Sequence, residues 1–277
     1  MKTKKIYKYV LMAALIAPLT LTSCSDDFLD VTPPDKATLQ EYYSNKEHIM
    51  EAVASTYNPM RQYDWNNEQY APLQLCSDIM ADDVWVGGGT SSDNLFLQKM
   101  SNYASTQNSG DALTGIWDQS YKGIRNANDV LTYIEWAKGV LTQADYNTFM
   151  AEAKVLRAFY YMQVWKFYGN IPFYFENLKS PYIGEQKSAD EVYKAVISDL
   201  ESAIGLNALP MKWDDKNLGR MSQAAAYMIY AEMVMYQNDE SRYAKALGYM
   251  QEIIKDKQNY DLNPDYANIF LESGEVT

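Results

Sequence analysis

Residues 142–172 read TQADYNTFMAEAKVLRAFYYMQVWKFYGNIP, and this stretch decides the fold. Thr142-Gln143-Ala144-Asp145 has the Ser/Thr-x-x-Asp/Glu spacing of a capping box, in which a hydroxyl and an acid satisfy orphan amides at a helix start. Ala153, Leu156, Tyr160, Val164 and Phe167 then recur along one face at the helical period. Gly169-Asn170-Ile171-Pro172 ends the helix, with Gly near the C-cap and Pro beyond it. The spacing predicts a helix over 142–168. Its aromatic run (Tyr160, Tyr161, Trp165, Phe167 and Tyr168) reads as core and groove packing, because aromatics at helical spacing usually bury. Arg157 on the same helix is expected to pair with a buried acid.

Working outward, the same signals recur. Thr38-Leu39-Gln40-Glu41 and Ser188-Ala189-Asp190-Glu191 carry the capping-box spacing again. Together with the apolar periodicity, as in Ile116, Ile124, Leu131 and Ile134, they predict helices near 38–60, 71–81, 113–138, 188–206, 222–237 and 241–257. Only Ile171–Phe175 is ambiguous with a strand. Consecutive helices joined by short loops predict an all-α fold of antiparallel pairs stacked as a helical-repeat scaffold. A strict tetratricopeptide signature of about 34 residues is absent. Two segments break the pattern: the polar-aromatic 61–70 and the long 82–112. The second exceeds the roughly 12–15 residues usual for a structureless connection, so it is expected to be functional or locally folded.

The ends and the composition narrow the function. Lys2, Lys4, Lys5 and Lys8 precede an apolar run from Val10 to Leu21, too short for the about 20 residues that span a bilayer, so residues 1–23 read as a signal peptide. Leu21-Thr22-Ser23-Cys24 resembles the lipobox of bacterial lipoproteins, in which the cysteine is acylated; ordinary secretion is the alternative. Acylation would tie the protein to a membrane without spanning it. Ser25-Asp26-Asp27 resembles the acidic signal that sends some lipoproteins to the outer face of the outer membrane. Cleavage leaves 20 Lys+Arg against 36 Asp+Glu, a net charge of −16. That balance argues against nucleic acid, whose phosphates need clustered cations. Two cysteines and one histidine cannot build a Cys/His zinc site of about four ligands. Cys76 reads as a small buried apolar side chain, and His48 as a solvated one. Acids are plentiful, but no pair is set apart by its surroundings, so no hydrolase and no enzyme is predicted.

Further blocks carry a resemblance. Cys24 followed by Asp26-Asp27-Phe28-Leu29-Asp30 resembles the mature start of SusD/RagB-type nutrient-binding lipoproteins. Trp117-x-x-x-Tyr121-x-x-Ile124-x-x-Ala127-Asn128 looks like that family's first strong helix. Glu152 to Tyr161, running on to Tyr168-Gly169-Asn170-Ile171-Pro172, is similar to its most specific block. Glu191-Val192-Tyr193, Asp199-Leu200-Glu201-x-Ala203-Ile204 and Gly219-Arg220-Met221 follow in the family's order. The resemblance implies a tetratricopeptide-like scaffold with long irregular loops, over residues 38–277, after a lipidated linker at 24–37. It also implies a cell-surface lid over a SusC-like TonB-dependent transporter. Such a lid binds oligosaccharides, less often peptides, and passes them on without chemistry, metal or cofactor. Family members are roughly twice this long, so the chain is expected to be an N-terminal portion lacking the half that supplies several ligand contacts.

Sugars present hydroxyls and C–H patches, and their sites combine flat aromatic platforms with carboxylates and amides. Segment 78–94, DIMADDVWVGGGTSSDN, has that inventory. Trp85 is the expected platform, with Asp82, Asp83 and Asn94 as hydroxyl partners and Gly87-Gly88-Gly89 allowing close backbone approach. The same stretch also reads as a capped helix end followed by a solvated loop. Trp65, Asn66 and Asn67 form a second candidate. The segment lacks the alternating ligand spacing of an EF-hand calcium loop, and its glycines form neither a dinucleotide fingerprint nor a P-loop.

Overall fold

The computed structural model describes residues 37–62, 73–104 and 114–271, together with the backbone of 65–66 and 69–70. The signal segment 1–23, Cys24, nearly all of the linker and Asn67 lie outside the described residues. The chain divides into two units, Met1–Tyr42 and Tyr43–Thr277. In the first, Thr38 and Glu41 form the expected reciprocal cap, with Thr38 N–H donating to Glu41 Oε2 at 2.7 Å. The helical turn Leu39–Tyr42 follows.

In the second unit Asn45 opens helix α1, Lys46–Tyr57, its side-chain oxygen accepting from His48 N–H at 2.9 Å. The single helix expected over 38–60 is therefore broken, because Asn45 supplies a cap of its own. His48 is half-buried rather than simply solvated, with Nδ1 at 2.9 Å from Asn45 Nδ2. A 3₁₀ turn, Asn58–Gln62, precedes strands β1, Trp65–Asn66, and β2, Gln69–Tyr70, which pair as a hairpin. Helices α2, Leu73–Met80, and α3, Leu95–Ser101, come next, then the long α4, Thr114–Trp136, and α5, Gln143–Tyr168. After α5, β3 (Ile171–Pro172) pairs antiparallel with β4 (Gln186–Lys187), which resolves the ambiguous segment as a two-residue strand. Helices α6, Ala189–Gly205, α7, Gln223–Gln237, and α8, Tyr243–Lys255, complete the series.

From α4 to α8 each helix packs on the next, the connectivity of a helical-repeat scaffold. Helix α5 is the central member, buried on nearly every side between α4 and α6 and also touching α1. Ala151, Ala153 and Ala158 keep it slim, while Leu156, Tyr160 and Tyr161 fill the space around it. Each large apolar side chain so buried contributes roughly 1.5–3 kcal/mol. Thr142 caps it from Oγ1 to Asp145 N–H, and Gly169 ends it at φ +67°. Phe167 departs from the expected packing and remains exposed.

The residues of the specific blocks meet far from each other in sequence. Glu152 on α5 is fully buried and accepts from Arg220 Nη2 at 2.5 Å and Nε at 3.1 Å. Tyr57 donates its hydroxyl to the same carboxylate and accepts from Met221 N–H at 2.8 Å. Burial, reinforced by the carboxylate, pushes that phenol far above its ordinary range, so it stays a donor. Trp213 stacks on Arg220 at 4.1 Å. Arg157 finds its expected acid in Asp199, at 2.6 Å, and also holds Asn128 Oδ1 at 2.8 Å. Buried charges without partners would cost several kcal/mol, and here each has them.

Candidate functional site

The 82–112 segment, expected to be functional or locally folded, contains a helix. Phe96, Leu97 and Met100 of α3 bury against Cys76 and Ile79 of α2, with Val86 closing the cluster from the connection. Neither helix is long enough to stand alone, and their shared apolar face makes them a hairpin. The pattern of α3 was too short for its period to register as a helix. Cys76 lies at the centre of this small core, as expected, and burial pushes its thiol up to about 11. Tyr103 fastens the far end by donating its hydroxyl to the Met80 carbonyl.

The connection carried by this hairpin is ordered by a residue that sequence reasoning passed over. Asp93 accepts at Oδ2 from Gly89 N–H at 2.6 Å and Thr90 N–H at 2.9 Å, and at Oδ1 from Thr90 Oγ1 at 3.0 Å. The hydrogen bonds to Thr90 and Gly89 hold its carboxyl below the usual range. The signal was present, since Thr90-x-x-Asp93 has the spacing that flags the helix caps. Gly88 sits at φ +153°, and a Cβ there would lie 2.7 Å from Asp93 Cβ. A bare glycine is what lets the turn fold back onto the aspartate.

On this turn the expected residues are displayed rather than packed. Trp85 is 74% exposed although its neighbour Val86 is buried. Asp82, at φ +64°, Asp83 and Asn94, at φ +48°, are exposed as well. Asn94 heads α3 without a side-chain cap, leaving its amide available. The structure thus brings Trp85, Asp82, Asp83 and Asn94 onto one connection of a locally braced hairpin. Trp65 and Asn66 form β1, which runs beside α4, while their side chains lie outside the described residues. Two cavities near α5 contain none of these residues. One, of about 570 Å³, lies between α1, α5 and the α6–α7 connection. Among the described residues no group of three or more His, Cys, Asp or Glu could hold a metal ion, and no helix is long and apolar enough to cross a membrane.

The stacked helices from α4 to α8 define a helical-repeat scaffold protein, with Trp85 displayed among acids and amides on one of its connections. The family model described as "Starch-binding associating with outer membrane", a SusD-like family, matches residues 27–235, and the chain belongs to that family. Among solved structures the chain is similar to surface glycan-binding protein A from Bacteroides thetaiotaomicron in complex with laminarihexaose. That match has 46% identity and a TM-score of 0.75, covering 83% of this chain and 47% of that one. The corresponding protein from Bacteroides uniformis gives 44% identity and a TM-score of 0.78, over 84% of this chain and 51% of that one. The SusD-like protein P25 from Formosa agariphila is 26% identical over 99% of this chain and 50% of its own length. The chain therefore spans about half the length of the relatives it matches.

Proposed function

We propose that the chain belongs to a cell-surface lipoprotein that captures oligosaccharides and delivers them to a SusC-like TonB-dependent outer-membrane transporter, without altering them. In this reading residues 1–23 are the signal, Cys24 the lipid anchor, 24–37 a linker and 38–277 the helical domain. The observation that carries the reading is Trp85. A tryptophan three-quarters exposed, on a turn held by Asp93 and Gly88, gains nothing from packing and presents a rigid apolar face. Such a face suits the C–H patches of a sugar ring, and the carboxylates of Asp82 and Asp83 with the amide of Asn94 suit its hydroxyls. Similarity to a surface glycan-binding protein seen with laminarihexaose supports the ligand class and suggests the first probe.

The test is calorimetric titration of the full chain with laminarihexaose, a wider panel of soluble polysaccharides, and a peptide pool. Binding of a glycan that weakens about tenfold or more in Trp85→Ala supports the loop as platform, a tenfold change being about 1.4 kcal/mol. Full affinity in Trp85→Ala removes that assignment. Co-purification with a barrel in the absence of any glycan or peptide binding would replace the reading with that of a scaffold organising envelope proteins.

A further inference from the structure

A second cavity, of about 440 Å³, shares no lining residue with the 81–94 connection. One wall is α4, which contributes Tyr121, Arg125 and Asp129 at successive i, i+4 positions and so on one face. The other wall is the α5–α6 connection, with Tyr174, Asn177 and Tyr182. The size is within the range of small-ligand sites, roughly 300–1,000 Å³.

The walls are built rather than incidental. Asn177 donates through Nδ2 to Asp129 Oδ1 at 2.7 Å and to the Arg125 carbonyl at 3.1 Å. Its Oδ1 accepts from Asn128 Nδ2 at 3.4 Å. Asn128 is itself gripped by Arg157, whose guanidinium is anchored on Asp199 inside the core. The Tyr121 and Tyr174 rings stack with centroids 6.2 Å apart at 28°, and the Tyr121 hydroxyl donates to the Pro172 carbonyl at 2.7 Å. The floor is therefore tied to buried polar groups on two helices.

The rim is the unusual part. Tyr182 is 73% exposed and sits at φ +61°, a region that bulky side chains rarely enter. A ring held in a costly backbone conformation, with no packing in return, is a feature that collects at ligand sites. Arg125 is exposed beside it, near the half-buried Asp129. The cavity thus offers an aromatic face, a carboxylate held in place by the Asn177 amide, and a guanidinium, with one positive charge against one negative.

We propose that this groove is a second carbohydrate site, which takes one neutral pyranose unit with Tyr182 as its outer platform and Asp129 and Arg125 as hydroxyl partners. Paired planar donors and acceptors match vicinal hydroxyls. The balanced charge gives no advantage to a uronate or a sulfated sugar. The site takes its ligand class from the proposed function, but its geometry is independent of the Trp85 loop, so the chain would hold a glycan at two points.

Calorimetric titration with laminarihexaose tests this on the full chain, comparing wild type with Trp85→Ala, Tyr182→Ala, Arg125→Ala and the Trp85→Ala/Tyr182→Ala double variant. Tyr182 and Arg125 are rim residues outside the core, so both single variants should keep the wild-type far-UV spectrum. The expected result is two sites in wild type, with Tyr182→Ala weakening one by about tenfold or more and Tyr182→Phe retaining it. Trp85→Ala should leave the groove site in place, and the double variant should lose both. Unchanged affinity and stoichiometry in Tyr182→Ala and Arg125→Ala, with binding lost in Trp85→Ala, overturns the second site and leaves the loop reading standing. The converse pattern overturns the loop and upholds the groove. Absence of binding in every protein overturns both for this glycan class, and tighter groove binding of an oligouronate overturns the neutral-sugar assignment.

Discussion

Replacing glycine by alanine inside a helix normally stabilises it by about 1 kcal/mol, because glycine gives up more backbone freedom on folding. The scaffold contains one position where that gain should appear and one where the sign should reverse. Gly248 lies within α8, and a Cβ built there meets nothing within 4 Å. Gly123 lies within α4, and a Cβ there would stand 2.2 Å from Tyr160 Cε2 and 2.3 Å from Cζ. Carbon atoms rest at about 3.5–4.0 Å, so the ring would have to move by more than an ångström. Tyr160 is fully buried and its hydroxyl donates to the Thr56 carbonyl, so displacement both overpacks the core and breaks that bond. Overpacking costs about 1–3 kcal/mol and the lost hydrogen bond about 1, against the gain of about 1 from propensity. Gly123→Ala should therefore destabilise by about 2 kcal/mol, while Gly248→Ala gains about 0.5–1 kcal/mol. Urea unfolding followed by far-UV circular dichroism measures both through the midpoint at constant m-value. In a Tyr160→Ala background, already weakened by about 3–5 kcal/mol, the alanine at 123 should cost nothing further. Wild-type stability or better in Gly123→Ala alone would refute the claim that α4 and α5 are held at this separation by the glycine–tyrosine contact.

Glu152→Ala should destabilise by about 3 kcal/mol, because it strands Tyr57 and the partly solvated Arg220; a loss below about 1 kcal/mol in the same unfolding assay would show the network to be dispensable. Gly88→Ala should weaken binding at the Trp85 loop by roughly tenfold with the far-UV spectrum unchanged, since its φ and its contact with Asp93 both resist a Cβ; unaltered affinity by calorimetry would sever the turn from the site. Asp239 is held at about 2, below its ordinary 3.8, chiefly by hydrogen bonds from Ser241 and Arg242. A depressed carboxylate pKa gives stability that is present above the unfolded value and lost as pH falls through the folded one. The melting temperature should fall between pH 4 and pH 2 more steeply in wild type than in Asp239→Asn, and parallel curves would refute the assignment.

The helical series was legible because its signals are local. Thr142 with Asp145, Ser188 with Glu191, and the period of α4 and α5 all lie within a few residues of the backbone they organise. The boundaries of α4, α5, α6 and α7 fall within a residue or two of the expected ones, whereas the helix expected over 38–60 is broken at Asn45. What escaped was either too short or too distant. Helix α3 has seven residues, fewer than a periodicity needs, and exists because α2 lends it an apolar face. Asp93 closes a turn on Thr90 ahead of α3 instead of capping a helix, so no periodic run follows Thr90-x-x-Asp93 to mark it. The meeting of Glu152 with Arg220 and Tyr57 spans 68 and 95 residues of chain, and no local pattern announces it. The groove around Tyr182 was equally silent, because Tyr121 and Asp129 on α4 acquire their partners, the Pro172 carbonyl and Asn177, only when the α5–α6 connection folds back.

These two kinds of information do different work in the molecule. The residues that carry the family resemblance include Arg157, Glu152 and Asn128, whose charges or amides are buried and hydrogen-bonded, and the partly solvated Arg220, which pairs with the buried Glu152. Changing any one leaves an unpaired group in the interior, so they fix the scaffold and say little about the ligand. The residues proposed to meet sugar lie at the opposite extreme. Trp85 and Tyr182 are exposed, and Asp82, Asp83, Asn94 and Arg125 sit on the surface around them. The α2–α3 hairpin has a small core of its own in Cys76, Ile79, Phe96 and Met100, so its connection can change without disturbing the stacked helices. A scaffold locked by long-range polar pairs, carrying a loop braced by its own neighbours, can keep one fold while the residues displayed on that loop change.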